Sequence, residues 1–346
     1  MKIWMDVKNT CEPVFFKVLM EGLKDHDFFI TARDFAGSPE LLEEIGVKHT
    51  VVGKHYGGSI IAKGLGTIHR SMQLMKALPK IDATISSENP FSPVVSRFKS
   101  IPSISFQQAS DIDNFNHKMW DRLNDYIIKP EIVGIEPLVK NGVRRDAIHS
   151  FTGFKEQIPV ADFKPDPEFL DKIPFTEYIA IRPPPLSSFE VGHDVRSNKS
   201  NIIRELAQKI SKEGFNILYL TRYPYDQDFV RGIENVHILK KPLNGLDIAW
   251  HSQGIMTGSG TFAREAAAMN VPAATSYDYL HHKVFLPVDK MLIDQGKMLN
   301  SKDPENITTY LKTASRSQPN LNNAIQTKNQ VIAIIEKILS GIAESS

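Results

Sequence analysis

The stretch Gly254–Pro272 constrains the fold more than any other part of the chain. An apolar strand end, Gly254–Thr257, runs into the turn Gly258-Ser259-Gly260-Thr261, and a helix follows at once until Pro272 closes the unit. Gly258 and Gly260 permit a backbone approach that a Cβ would forbid. The turn presents N–H groups and two hydroxyls at a helix N-terminus, where orphan donors and the helix dipole favour a phosphate. Glu265 lies six residues after Ser259, just over one turn into the helix. A carboxylate there repels phosphate but accepts hydrogen bonds from ribose hydroxyls, and phosphate with ribose denotes a nucleotide. In many proteins such a turn only caps a helix, Ser or Thr satisfying its first donors. Glu265 and the small Ala266-Ala267-Ala268 run, which packs closely on a sheet, favour the nucleotide. Ser259 and Glu265 are expected at a solvent-facing helix start.

Around this unit the chain alternates apolar runs with helical periodicity, the pattern of parallel sheets covered on both faces. Strands are expected at Ile3–Val7, Phe28–Ala32, Thr50–Val52, Ala83–Ser86, Ser103–Phe106 and Tyr126–Ile128. A second set follows at Tyr178–Ile181, Ile217–Leu220, Val236–Leu239, Gly254–Thr257 and Ala273–Ser276. The fold class is α/β, with two doubly wound Rossmann-like domains facing a cleft, and ligands are expected beyond the C-terminal ends of the strands. The expected boundaries are 1–150 for the first domain, 151–167 for a proline-containing linker, 168–320 for the second domain and 321–346 for an amphipathic helix. That helix carries Val331, Ile335, Ile338 and Ile342 on one face.

A length of 346 residues fits two domains. The net charge of +1 argues against nucleic acid as main partner. The single Cys11 excludes an internal disulfide framework. The first residues read as a strand rather than a signal peptide, and no apolar run approaches the roughly 18 residues of a membrane span. The expected setting is the cytoplasm. Lys240-Lys241 are too few charges for membrane attachment by themselves.

This layout resembles the glycosyltransferases of the GT-B fold and the related UDP-N-acetylglucosamine 2-epimerases, and most closely the domain of unknown function 354 family. The resemblance covers almost the whole chain. It rests on Met1–Val7 with Phe15-Phe16, Thr31-Ala32-Arg33-Asp34, Gly53-Lys54-His55, Gly153-Phe154-Lys155-Glu156, Ile181-Arg182-Pro183-Pro184-Pro185 and Gly258–Pro272. It implies a nucleotide-diphospho-sugar ligand, a UDP-sugar favoured, with Ser259 and Gly260 at the diphosphate and Glu265 at the ribose. The epimerases also place a His after the first strand of the second domain and a second acid in the first. Here Arg182 and the run Phe106-Gln107-Gln108-Ala109 stand in those places. Both departures count against the 2-epimerase reaction.

The remaining candidates each carry two readings. Arg182 ends a strand before three stiff prolines, so it either clamps a diphosphate bidentately or pairs with a surface carboxylate such as Glu190. Glu12 lies in the loop where GT-B transferases often place an acceptor-activating base. It fits that role or a favourable contact with a helix start. Glu88, before Asn89-Pro90, is an acid facing the cleft or a helix cap, and Asp6 is a strand-end acid that orients the loop. His55 belongs to a possible acceptor loop or to plain surface. Asp111 and Asp113 lack a third ligand, so no metal and no cofactor are expected. The expected activity is inverting, metal-independent glycosyl transfer, with Arg182, Gly258, Ser259, Gly260, Thr261 and Glu265 binding the nucleotide-sugar and Glu12 or Glu88 as base. The alternatives are a nucleotide-sugar epimerase or hydrolase, and a non-catalytic nucleotide-sugar-binding protein.

Overall fold

The computed structural model describes residues 1–54, 60–107, 119–184, 193–276, 286–319 and 321–345. His55, Asp111, Asp113, Pro185 and Glu190 lie outside them, as do Gln108 and Ala109. The chain forms two compact units, the first made of Met1–Asp162, Val284–Val288 and Asn322–Ser346, the second of Phe163–Lys283 and Asp289–Leu321.

The first unit is built on β1 (Lys2–Val7), β2 (Asp27–Asp34), β3 (Thr50–Lys54), β4 (Ala83–Ser87), β5 (Ser103–Phe106), β6 (Tyr126–Pro130) and β7 (Ile148–Phe151). Their order across the sheet is β3-β2-β1-β4-β5-β6-β7. The second unit uses β8 (Ile179–Arg182), β9 (Ile217–Tyr219), β10 (Val236–Ile238), β11 (Gly254–Thr257), β12 (Ala273–Thr275) and β13 (Met298–Asn300), in the order β10-β9-β8-β11-β12-β13. Among the described residues every strand pairing is parallel. Residues Ile3 to Val7 and Ala83 to Ser87 are buried without alternation, as strands covered on both faces must be. Each sheet reverses its winding once, between β1 and β4 and between β8 and β11. Loops leaving a reversal point part to opposite sides and open a crevice there.

The helix Asn322–Ser345 belongs to the first unit, where Val331, Ile335, Ile338, Leu339 and Ile342 join the core of Ile3, Phe15, Phe151 and Ile158. Burying such side chains stabilises by about 1.5–3 kcal/mol each. Residues 151–167, read from the sequence as a connection, include the helix Gln157–Ala161, with Phe154, Ile158 and Val160 buried. Gly153 makes the corner before that helix at φ +99, where an added Cβ would meet Gln157 and Thr327. The Thr327 hydroxyl donates to the Thr152 carbonyl at 3.0 Å, which ties this corner to the C-terminal helix.

One fully buried carboxylate joins the elements around β1. Asp6 accepts from both terminal nitrogens of Arg70 at 2.7 Å, from the Thr31 hydroxyl at 2.6 Å and from Asn89 Nδ2 at 2.8 Å. Arg70 Nε donates to the Val52 carbonyl at 2.9 Å, and Trp4 Nε1 to the Thr31 hydroxyl at 2.9 Å. Arg70 comes from the helix Ile60–Ala77, so one ion pair ties that helix to β1, β2, β3 and the loop after β4. Removing one member leaves a buried charge uncompensated. Arg70→Ala is therefore expected to lower the unfolding free energy by roughly 3–5 kcal/mol, read from the midpoint and slope of equilibrium urea denaturation.

Candidate functional site

In the second unit the reversal point is flanked by Arg182 and Thr257, which face each other in register. The Gly258 N–H donates to the Arg182 carbonyl at 3.1 Å, extending the ladder one step past the strand. A Cβ on Gly258 would fall on Cα and Cβ of Pro184, which crosses the turn directly. The glycine is thus required by close approach and not by a positive φ. Ser259 occupies the cap position of the helix Gly260–Ala268 with extended backbone, and its N–H donates to the Thr257 hydroxyl at 2.9 Å. Among the described residues, the Ser259 side chain makes no capping hydrogen bond to that helix. The first-turn N–H groups of the helix precede its own hydrogen-bond ladder.

Gly260 is packed against Arg264, whose buried guanidinium is paired with the buried Asp289. Thr261 and Glu265 are buried, so Glu265 does not sit at the solvent-facing start expected from the sequence. A carboxylate is usually exposed, but this helix is buried around nearly its whole circumference, packed on β11 and β12 and against the helix Gly245–His251. Arg182 is half-buried at the end of β8. Its positive field acts on Asp226, a fully buried acid whose carboxyl burial pushes up, against two backbone N–H donors and the charges of Arg222 and Arg182. Asp226 Oδ2 accepts from the N–H groups of Arg222 at 2.7 Å and Tyr223 at 3.0 Å, so it orders the loop after β9.

In the first unit Glu12 and Glu88 flank the equivalent reversal point, in the loops after β1 and β4. Lys8 bridges them: its Nζ donates to the Glu88 carbonyl at 2.6 Å and lies 3.8 Å from Glu12 Oε1. Glu88 is half-buried and holds φ +43, unusual for a residue with a side chain. Asn89 secures that conformation. Its Nδ2 donates to Asp6, and its Oδ1 accepts from the N–H groups of Phe91 and Ser92. Asn89, not Glu88, therefore meets the donors entering the helix Ser92–Lys99.

Glu12 is fully buried. Its Oε2 accepts from the Lys8 N–H at 2.6 Å and the Asn9 N–H at 3.2 Å, while Oε1 has no hydrogen-bond partner among the described residues. Asp6, turned inward to Arg70, reaches the Glu88 loop through Asn89. Lys155, to which the sequence reading gives no role, is buried beside these residues, donates to the Ser87 hydroxyl at 3.0 Å and lies 5.1 Å from the Phe15 ring centre. Among the described residues no group of three His, Cys, Asp or Glu side chains is placed to hold a metal ion.

This architecture is shared with UDP-GlcNAc 2-epimerases and with a glycotransferase. The UDP-GlcNAc 2-epimerase of Methanocaldococcus jannaschii, solved with UDP-GlcNAc and UDP, superposes with a TM-score of 0.70 at 14% identity, over 97% of this chain and 100% of that one. A putative UDP-N-acetylglucosamine 2-epimerase of Listeria monocytogenes gives 0.71 at 14% identity, over 97% of this chain and 96% of that one. The glycotransferase of kitacinnamycin gives 0.54 at 10% identity, over 98% and 99% of the two chains. The fold is therefore of the GT-B kind, with two doubly wound α/β units. The chain belongs to the protein family of unknown function DUF354, whose profile matches residues 1–342. It is 24% identical over 326 residues to the uncharacterized protein MJ0665 of Methanocaldococcus jannaschii, covering 90% of each.

Burial raises the Glu12 carboxyl above its ordinary range, opposed by the charge and N–H of Lys8 and the charge of Lys155. A raised acid stabilises the fold fully below its unfolded value, and that contribution is lost as pH climbs through the folded value. Glu12→Gln keeps an acceptor for the two N–H groups and cannot ionise. Thermal melts across pH are expected to match between the two proteins near pH 4.5 and below. At higher pH the wild type falls behind the variant.

Proposed function

We propose that this protein binds a nucleotide-diphospho-sugar, a UDP-sugar favoured, at the reversal point of the second unit and transfers its glycosyl group to an acceptor hydroxyl with inversion. The observation that carries the reading is the Ser259 turn. A serine at a helix cap ordinarily spends its side chain on the first N–H groups, and this one does not. In the proposed complex the diphosphate meets the N–H groups of Gly260 and Thr261, the Ser259 hydroxyl and the Arg182 guanidinium. These donors stabilise charge as it develops on the leaving diphosphate, so no metal is needed for it. Glu265 accepts from the ribose hydroxyls.

Glu88 is the proposed base, because it keeps some exposure while Glu12 is sealed. The acceptor oxygen bonds to the anomeric carbon, its proton goes to Glu88, and the bond to the diphosphate breaks. Glu12 and Lys8 hold the loop that positions Glu88. A second reading, a nucleotide-sugar epimerase or hydrolase acting without acceptor, is favoured by the fold shared with UDP-GlcNAc 2-epimerases. Arg182, standing where those enzymes are expected to carry a His, weighs against it.

Because Glu265 is buried, its test is the conservative change. Ser259→Ala combined with Glu265→Gln is expected to weaken UDP-sugar binding about tenfold or more, roughly 1.4 kcal/mol by titration calorimetry, with the fold retained. Unchanged affinity in the folded double variant would remove the reading. Incubating UDP-GlcNAc with the protein alone separates the two activities: a 2-epimer or free UDP without acceptor gives the site to the second. Turnover is expected to persist in EDTA, and activity lost there and restored by magnesium or manganese would contradict the metal-independent mechanism.

A further inference from the structure

The first unit carries an apolar face that the proposed activity does not use. On the helix Ile60–Ala77, Leu65, Ile68 and Met72 are 64%, 61% and 50% exposed. Their spacing puts them on one stripe, with His69 beside them and Lys76 one turn beyond Met72. The opposite face holds Arg70, Leu74 and the neighbouring Leu78 in the interior, so the helix is amphipathic inward and apolar outward as well. The helix Ser92–Lys99 packs beside it through Leu74, Leu78, Phe91 and Val95. That second helix adds Phe98, 76% exposed, between the exposed Arg97 and Lys99.

The sequence leading into and out of this helix is one-sided in charge. Between Glu44 and Asp82 the sequence contains no acidic residue, in a chain whose 41 basic and 40 acidic residues otherwise balance. Lys48, Lys54, Lys63, Lys76 and Lys80 fall in that stretch, and its Arg70 is neutralised by Asp6. Protein interfaces are depleted of lysine. This face is bordered by lysines, and lysines around exposed aliphatic and aromatic side chains are the combination that settles at the acyl boundary beneath anionic headgroups.

We propose that the outer face of the helix Ile60–Ala77, with Phe98 beside it, docks this protein on an anionic membrane surface. Leu65, Ile68, Met72 and Phe98 enter the headgroup boundary, while Lys76, Lys80, Arg97 and Lys99 meet lipid phosphates and carboxylates. The attachment is interfacial, since among the described residues no helix is long and apolar enough to cross a membrane.

The test is co-sedimentation of the full chain with phosphatidylcholine vesicles and with phosphatidylcholine–phosphatidylserine vesicles at about three to one. Wild type is expected to partition about tenfold more strongly to the anionic vesicles, and added salt to weaken it. Leu65→Ser, Ile68→Ser and Met72→Ser together, all at exposed positions, are expected to abolish binding without changing the thermal melt. Lys76→Glu with Lys80→Glu is expected to lower it about tenfold. Wild type that stays in the supernatant with anionic vesicles overturns the proposal, as does a triple serine variant that sediments like wild type. A dimer in vesicle-free solution that the same serine changes dissolve also overturns it, because the face then belongs to a second copy.

Discussion

The carboxylate of Asp6 is the point from which the first unit is organised. It ends no chemistry of its own, because every direction from it is filled by a donor: Arg70 twice, Thr31 and Asn89. Such a group is expensive to bury and stays buried only when its partners arrive together. The consequence is geometric. Arg70 sets the helix that follows β3, Thr31 sets β2 against β1, and Asn89 sets the loop carrying Glu88. A position next to the proposed chemistry is therefore dictated by charge satisfaction several residues away.

The two units solve one problem with opposite materials. At the second unit's reversal point the chain is stripped of bulk: Gly258 lets Pro184 cross, and the Ser259 hydroxyl is not drawn into the helix cap. At the first unit's reversal point the chain is crowded with charge, two lysines and two glutamates in and around the loops after β1 and β4. The first arrangement suits an incoming anion. The second suits a proton acceptor held in place by cations, because Lys8 binds the Glu88 main chain and leaves its carboxylate out of that bond.

Much of this was legible in the sequence, and the exceptions share a cause. Buried parallel strands show as short stretches of apolar and small residues, so β1, β4 and β11 fall where expected even with Asp6 in the first and Thr84, Ser86 and Ser87 in the second. β7 and β13 did not, because each is a short edge strand with few apolar residues: Ile148-His149-Ser150-Phe151 and Met298-Leu299-Asn300. The Gly258–Thr261 turn is contiguous and thus readable. The Asp6–Arg70 pair spans 64 residues and leaves no local trace. Lys155 was hidden in a stretch whose prolines read as linker, although Gly153-Phe154-Lys155-Glu156 stood out as a motif. Glu265 was expected in solvent on the ordinary habit of carboxylates, which a helix buried almost all round overrides.

The C-terminal helix gives the chain an order of assembly. Residues 322–345 supply a wall of the first unit's core, yet they leave the ribosome after every described strand of the second unit. While synthesis is under way, Phe15, Phe151 and Ile158 lack the covering that Val331, Ile335 and Ile338 later provide. Domains elsewhere tend to fold in the order they emerge. Here the unit begun first is completed only after the second unit's strands have been made, and until then the nascent chain carries an open apolar seam.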